Sequence, residues 1–286
     1  MIDFTHYGLS PLQFIKIALE EDAGDGDHTS LSTINEEKTG TATVLMKEGG
    51  IVSGLEVAGL ILKSVDNHIN IQTNFMDGKQ VLPGDILMVV EGNVRSMLKA
   101  ERLLLNCIQR MSGIATLTRK FVNAVQGTHA SILDTRKTTP NFRYFEKMAV
   151  RAGGGINHRF GLYDMILIKD NHVVAAGGIS NALRKAASYL ERLGKNLTIE
   201  IETRSMDEVR EVIKTGIAKR IMLDNFETST LKEAVLVINS KFETEASGGI
   251  TLLNAKEYAS TGVDFLSVGA LTHSYKSLDI SMKITG

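Results

Sequence analysis

The sequence predicts an α/β protein in two parts: an α+β unit over roughly the first hundred residues, then a parallel sheet or barrel of about six strands. Three observations carry this. Before Arg95 the apolar positions fall in short runs separated by Asp77-Gly78 and Pro83-Gly84-Asp85, which are turns of the kind that join antiparallel strands. From Ser131 onward, strand-like runs alternate with helical ones, the rhythm of a parallel sheet. Most of those later runs end on an ionisable residue, at the edge where α/β sheets and barrels hold their ligands.

The elements follow in order. Pro11 to Glu21 carries Leu12, Ile15, Ala18 and Leu19 at helical spacing. The acidic, glycine-rich stretch Asp22 to Ser30 superficially resembles a calcium loop, but Thr33 stands where an EF-hand needs its closing glutamate, so it reads as a capped surface loop. Thr41 to Lys47 alternates, with Ala42, Val44 and Met46 on one face. Ile51–Gly54, Ile69–Phe75 and Ile86–Val90 are further strand candidates, with a helix over about Leu55–Val65. Arg95 to Val125 is strongly helical, and Ser112-Gly113 suggests a break within it. Cys107 lies on this helix and reads as a small core residue, since no histidine is near it in sequence. Glu101 and Arg102 read there as ordinary surface charges. Later strand-like runs end at Asp134, Lys169, Glu202, Asp224, Ser247 and Val268, with helical patterns over 142–152, 181–193, 206–215, 231–239 and 253–260. Six runs do not support a complete eight-stranded barrel.

Composition sets limits. The chain has 286 residues, 43% of them hydrophobic, enough for a sizeable core in one large or two moderate domains. A net charge of −1 argues against nucleic-acid binding by bulk electrostatics. One cysteine excludes an internal disulfide and a cysteine-rich metal site, and suits a reducing cytoplasm. Met1 to Phe14 shows neither a basic n-region nor an apolar h-region, so no signal peptide is expected. No stretch is long and apolar enough to span a bilayer.

The chemistry concentrates between Asp134 and His172. Arg136, Lys137, His158, Arg159, Lys169 and His172 fall in two tight clusters and at one strand end, beside Thr-Thr-Pro or triple glycine. In a nearly neutral chain, cations gathered on loops fit a small ligand with several negative charges. The last two strand ends differ: Ser247-Gly248-Gly249 and Val268-Gly269 place glycines where the chain turns towards a helix, which lets backbone approach a phosphate.

At these residues the chain resembles the quinolinate phosphoribosyltransferase family, also called nicotinate-nucleotide pyrophosphorylase (carboxylating). The resemblance rests on Glu20-Glu-Asp22 with Gly26-Asp27, Ala100-Glu-Arg102 with Asn106, Asp134-Thr-Arg-Lys-Thr-Thr-Pro140, Glu146-Lys-Met-Ala-Val150, and Gly153-Gly-Gly155 with His158-Arg159. It continues through Ile168-Lys-Asp-Asn-His172, Glu200-Ile-Glu202, Leu223-Asp-Asn-Phe226, Ala246-Ser-Gly-Gly-Ile250 and Ser267-Val-Gly-Ala-Leu-Thr-His-Ser274. These pieces span nearly the whole chain in the family's order. Ile217-Ala-Lys-Arg220 is one residue longer than the family pattern, which is expected to fall in a loop and leave Asp224 in place.

The resemblance implies an N-terminal α/β sandwich over residues 1–112, completed by the tail at 274–286, and an incomplete α/β barrel over 113–273 that holds the phosphoribosyl site. It implies a cytoplasmic enzyme of NAD biosynthesis that converts quinolinate and 5-phosphoribosyl 1-pyrophosphate, with magnesium, to nicotinate mononucleotide, pyrophosphate and carbon dioxide. Arg136, His158, Arg159 and Lys169 would surround quinolinate, with Arg102 supplied by the other subunit of a homodimer or a higher oligomer. Lys137 would serve the pyrophosphate. Glu202 and Asp224 would hold the ribose hydroxyls and the magnesium, partly through water. Ser247, Gly248, Gly249, Gly269 and His273 would cradle the 5-phosphate. Lys137, Lys169, Glu202 and Asp224 are the expected catalytic set. No nucleic acid or membrane partner is implied. A phosphoribosyltransferase for another pyridine or pyrimidine would share the barrel but not the full cationic set. A non-catalytic sensor would not need Glu202 and Asp224.

Overall fold

The structure is a computed structural model and describes residues 10–285. Residues 1–9, which include most of the stretch judged for a signal peptide, lie outside the described part. In chain order the elements begin α1 (Pro11–Ala23), α2 (His28–Thr33), β1 (Thr39–Met46), β2 (Gly50–Ile51), α3 (Leu55–Val65), β3 (Asn70–Thr73), β4 (Gln80–Val81), β5 (Ile86–Asn93) and α4 (Val94–Ala124). Next come β6 (Ser131–Leu133), α5 (Arg143–Ala152), β7 (Ile166–Ile168), α6 (Asp170–Ala176), α7 (Ile179–Leu193), β8 (Ile199–Thr203) and α8 (Met206–Thr215). The last are β9 (Arg220–Asp224), α9 (Thr228–Ile238), β10 (Glu243–Ser247), α10 (Ala255–Ala259), β11 (Phe265–Ser267), α11 (Ala270–His273) and β12 (Ile280–Thr285). They form two compact units. One comprises the chain up to Arg119, Thr138–Gly154 and the segment from Thr272; the other comprises Lys120–Lys137 and Gly155–Leu271.

The first unit is built on an antiparallel sheet of order β12-β1-β5-β3. Ala42, Val44 and Met46 are all buried, the face that the alternation in β1 predicts. On the opposite edge of β1, the terminal strand β12 pairs from Thr41↔Thr285 to Met46↔Ile280 and buries Ile280 and Met282. Helix α1 opens on a reciprocal cap: Ser10 accepts from Gln13 N, and Gln13 returns a bond to Ser10 N, with Pro11 in the first turn. Asp27 caps α2 by accepting from Ser30 N, so this part of the acidic loop acts as a helix start.

Helix α4 runs unbroken for 31 residues, which corrects the expected break at Ser112-Gly113. Both residues are docking points. Ser112 Oγ accepts from Ser53 N at 3.0 Å and donates to Ser53 O at 3.2 Å. A Cβ on Gly113 would stand 2.2 Å from the Lys276 carbonyl oxygen, so glycine is needed for close approach of the segment leading into β12. Two further bonds run between this segment and α4: Leu278 N to Gln109 O, and Gln109 Nε2 to Ile280 O. Cys107 is buried on α4, and burial pushes its thiol up to about 12, consistent with a core residue.

The second unit carries six parallel strands in the order β6-β11-β10-β9-β8-β7. From β7 to β11 each strand pairs with the next in sequence, and β11 then pairs with β6. That is the order of an α/β barrel opened between its first two strands, as the six strand-like runs predict. The segment after the triple glycine lies on the free edge of β6, bridged at Leu133↔Ile156. Unusually, the middle strands of this sheet carry charged side chains on one face, beside the apolar Leu167, Met222 and Phe265. In register, Glu200, Arg220 and Glu243 stand side by side, and Ser247 stands beside Asp224. Side chains two residues apart share a face, so Glu200, Glu202, Arg220, Asp224, Glu243, Glu245 and Ser247 line that face. Ile201, Ile221, Leu223 and Ala246 are buried on the other.

Three details differ from the sequence reading. Of Ile51–Gly54 only Ile51 is in a strand, the two-residue β2 that begins at Gly50 and pairs with β4. A short helix, α6, begins immediately after Lys169; Lys169 N donates to His172 Nδ1 at its start. The helical pattern over 253–260 is one short turn, α10.

Candidate active site

The site residues of the second unit gather at the carboxyl ends of its strands. Buried Asp134, just past β6, organises the first two basic clusters. Its Oδ1 accepts from His158 N at 2.9 Å and its Oδ2 from Asn157 Nδ2 at 2.6 Å. With Ile156 N bonded to Ile132 O, this clamps the His158-Arg159 segment alongside the one that carries Arg136 and Lys137. Arg136 and Lys137 are exposed, whereas Arg159 is buried and reaches Met165 O through Nη1 at 3.3 Å. Burial first, and the nearby Arg136 charge second, hold the Arg159 guanidinium below its ordinary proton affinity; Glu200 and Asp164 oppose this. Two guanidiniums close enough to oppose each other's charge suit an anion between or beside them.

Lys169 stands at the end of β7, with Nζ 3.6 Å from Glu202 Oε2. Glu202 is buried at the end of β8, and Asp224 half-buried at the end of the adjacent β9. Between them lies Arg204, which the sequence reading did not single out. Its Nη2 is 3.1 Å from Glu202 Oε1 and 3.0 Å from Asp170 Oδ2, and its Nε is 3.9 Å from Asp224 Oδ2. Asp170 above all, then Glu202 and Asp224, reinforce its positive charge. Lys137, Lys169, Glu202 and Asp224 therefore share one sheet edge.

The glycine turn after β10 packs tightly on the turn after β9. Asn225 N donates to Ser247 O at 2.8 Å, and Gly248 has φ +95° with the Asn225 side chain where a Cβ would be, 2.2 Å from Oδ1. Gly248→Ala is therefore expected to cost about 1–3 kcal/mol of stability. It should also weaken use of the phosphorylated substrate more than use of its partner, read as separate KM values. Gly269 follows β11 at the same edge. Arg102 and His273 belong to the first unit. Arg102 is exposed there and lines a cleft with Asp22, Asn106, Arg110 and Tyr275; His273 is exposed, its Nδ1 2.6 Å from Ser274 Oγ.

Below the edge lies a buried polar group of Glu200, Arg220 and Glu245, to which the sequence reading gave no role, gathered around His158, which it expected beside quinolinate and which is buried here. His158 Nε2 is 2.9 Å from Glu200 Oε2 and 3.4 Å from Glu245 Oε2, and Arg220 Nη1 is 3.1 Å from the same Glu245 oxygen. His158 thus meets acids from β8 and β10 while its backbone is held by Asp134 after β6, so the sheet curls around it. Burial lowers the basicity of the imidazole, and the two carboxylates more than offset that. The Arg159 amide, however, donates to His158 Nδ1 at 2.8 Å, which requires a lone pair there. The ring hydrogen is therefore on Nε2, facing Glu200. Glu200 itself is pushed up to about 7 by burial and then by the Glu245 charge, with His158 and Arg220 opposing this.

These features define the class: an α/β enzyme that handles anionic, phosphate-bearing substrates at the carboxyl edge of its sheet. Residues 27–112 match the N-terminal domain of quinolinate phosphoribosyl transferase, and residues 114–283 match its C-terminal domain. Quinolinate phosphoribosyltransferase [decarboxylating] 1b of Nicotiana tabacum is 47% identical over 286 aligned residues, covering 94% of this chain and 81% of that protein. The chloroplastic nicotinate-nucleotide pyrophosphorylase [carboxylating] of Arabidopsis thaliana is 46% identical, with the same two coverages. The crystal structure of NadC from Streptococcus pyogenes superposes with a TM-score of 0.91 at 37% identity, covering 97% of this chain and 98% of that one. The chain belongs to the quinolinate phosphoribosyltransferase family.

Proposed function

We propose that this chain transfers the phosphoribosyl group of 5-phosphoribosyl 1-pyrophosphate to quinolinate, releasing pyrophosphate and carbon dioxide and forming nicotinate mononucleotide for NAD biosynthesis. The observation that carries the reading is the division of labour along one sheet edge. Cations follow β6 and β7, acids end β8 and β9, and a glycine turn follows β10. Arg136, Arg159 and Lys169 bind the two carboxylates of quinolinate, and guanidinium forks match them bidentately. Lys137 takes the pyrophosphate, Glu202 and Asp224 the ribose hydroxyls, and Ser247, Gly248, Gly249 and Gly269 the 5-phosphate.

The reaction needs no nucleophilic side chain. The pyridine nitrogen attacks the anomeric carbon as pyrophosphate leaves, and acids beside the ribose favour the positive charge that develops there. The ring becomes cationic on ribosylation, and that charge stabilises the electron pair left when the 2-carboxylate departs as carbon dioxide. Surrounding cations reduce the repulsion between two anionic reactants.

Glu202 and Asp224 fit a magnesium ion. They are hard oxygen donors at adjacent strand ends, and the ion would take the place of the exposed Arg204 guanidinium that now pairs with both. When bound, magnesium would neutralise the pyrophosphate as it leaves.

A homodimer, or a larger assembly of such dimers, would supply Arg102 from the neighbouring subunit, and a cytoplasmic setting suits the single cysteine. No described helix is long and apolar enough to cross a membrane. If the sites are shared, mixing Arg102→Ala with Lys169→Ala should restore about a quarter of wild-type activity, since random exchange gives half heterodimers with one intact site each. No recovery after confirmed subunit exchange would place Arg102 outside the neighbour's site.

The deciding experiment is a mass-spectrometric assay with quinolinate, phosphoribosyl pyrophosphate and magnesium, run beside one with nicotinate in place of quinolinate. Nicotinate mononucleotide from quinolinate alone, with pyrophosphate and carbon dioxide, is expected. Product from nicotinate alone would overturn the carboxylate clamp, and ligand binding without product would favour a sensor.

A further inference from the structure

We propose that Glu200 and Glu245, steadied by Arg220, are positioning residues that set the quinolinate side of the site through the ring of His158. The proposal rests on the reading that the His158-Arg159 edge receives quinolinate.

The geometry is a relay with each link on adjacent elements. Arg220 comes from β9 and lies across β10, with Nη2 3.0 Å from Glu243 Oε2 and Nη1 3.1 Å from Glu245 Oε2. Its far face covers the Phe265 ring, with the guanidinium carbon 4.1 Å from the centroid. Held this way, Glu245 and its neighbour Glu200 present one oxygen each to His158 Nε2, at 3.4 and 2.9 Å. The opposite ring nitrogen accepts the Arg159 amide at 2.8 Å. The ring is thereby oriented from both ends, and the peptide that begins Arg159 is tied to it.

The cost of this arrangement argues that it does something. Glu200 and Glu245 are each 0% exposed, and Oε1 of each has no hydrogen-bond partner. Orphaned buried carboxylate oxygens destabilise a fold, and an apolar layer of similar volume would hold a barrel interior more stably. Departures of this kind are expected beneath functional sites. The same three groups could be read as a buried metal site, since their donor atoms lie within 4.8 Å of one another. Arg220 at 3.1 Å from Glu245 supplies the cation there already, so the relay is the better reading.

The test is calorimetric binding of quinolinate, and separately of inorganic pyrophosphate, to the full chain. Glu200→Leu removes the acceptor for Nε2–H at nearly constant volume. Glu200→Gln keeps an acceptor oxygen in the same place. Glu200→Leu should weaken quinolinate about tenfold or more, the scale of a small misplacement of a binding group, while leaving pyrophosphate within about twofold. Glu200→Gln should restore quinolinate binding to within about threefold of wild type. Unchanged quinolinate binding in folded Glu200→Leu, or equal loss of both ligands, would overturn the relay. If Glu200→Leu does not fold, nitrogen NMR of His158 in the wild type decides. An Nε2–H tautomer supports the proposal, and an Nδ1–H tautomer overturns it. A wild type that binds pyrophosphate but no quinolinate would instead overturn the reading of the site on which the proposal depends.

Discussion

Arg136→Ala and Lys169→Ala should each lower turnover of quinolinate by about two to three orders of magnitude, with little change in thermal stability. Arg136 is exposed on the loop after β6, and Lys169 is half-exposed at the end of β7, so neither supports the core. Their value lies in position. Arg136 is close enough to Arg159 for the two charges to oppose each other, a cost that a bound anion would offset. Truncating one partner of a charge-assisted pair to a bound carboxylate leaves the carboxylate desolvated and unmatched. Arg136→Lys should recover only part of the loss, because a point charge cannot reproduce the two parallel bonds of a guanidinium. Steady-state kinetics and a melting curve suffice, and near-normal turnover in either folded alanine variant would remove that residue from the carboxylate clamp.

Gly113→Ala should destabilise the first unit by about 1–3 kcal/mol, against the usual direction for this exchange in a helix interior. Helix propensity alone would favour alanine by about 1 kcal/mol. The added methyl would stand 2.2 Å from the Lys276 carbonyl and 3.0 Å from Ser277 Cα. Those are backbone atoms, so no rotamer change relieves the clash, and the segment carrying Leu278 N to Gln109 O must move off α4. The expected signature is a lower melting midpoint, roughly 2–4 °C per kcal/mol, with faster amide exchange in β1 and β12. A midpoint equal to or above wild type would show that the segment is displaced without cost.

The sequence was most legible where periodicity and position coincide. In β1 the alternation of Ala42, Val44 and Met46 picks the buried face correctly. The ionisable residues at Asp134, Lys169, Glu202 and Asp224 mark strand ends because parallel strands are short apolar runs that stop where ligands begin. Gly113 was misread because glycine has two uses, breaking a helix and admitting a close neighbour, and only the neighbour's position distinguishes them. Arg204 looked like any surface arginine, since its three acidic neighbours come from separate segments. Glu200 and Glu245 were hardest. Charged residues in a strand ordinarily mark a solvated face, and here the alternation is inverted, with apolar side chains outward and acids inward around His158.

The pairing of β12 with β1 also bears on how the chain is made. Thr285 closes on Thr41, 244 positions earlier. During synthesis from the amino end, β1 is among the first strands to emerge and one of its two partners is among the last. Until then β1 presents one bare edge, open to pairing with other chains. All six strands of the second sheet lie between these two partners and can pair before the first sheet is whole. Completion of the first sheet thus waits for β12, and agents that shield sheet edges should help molecules in which β12 has yet to pair more than mature ones.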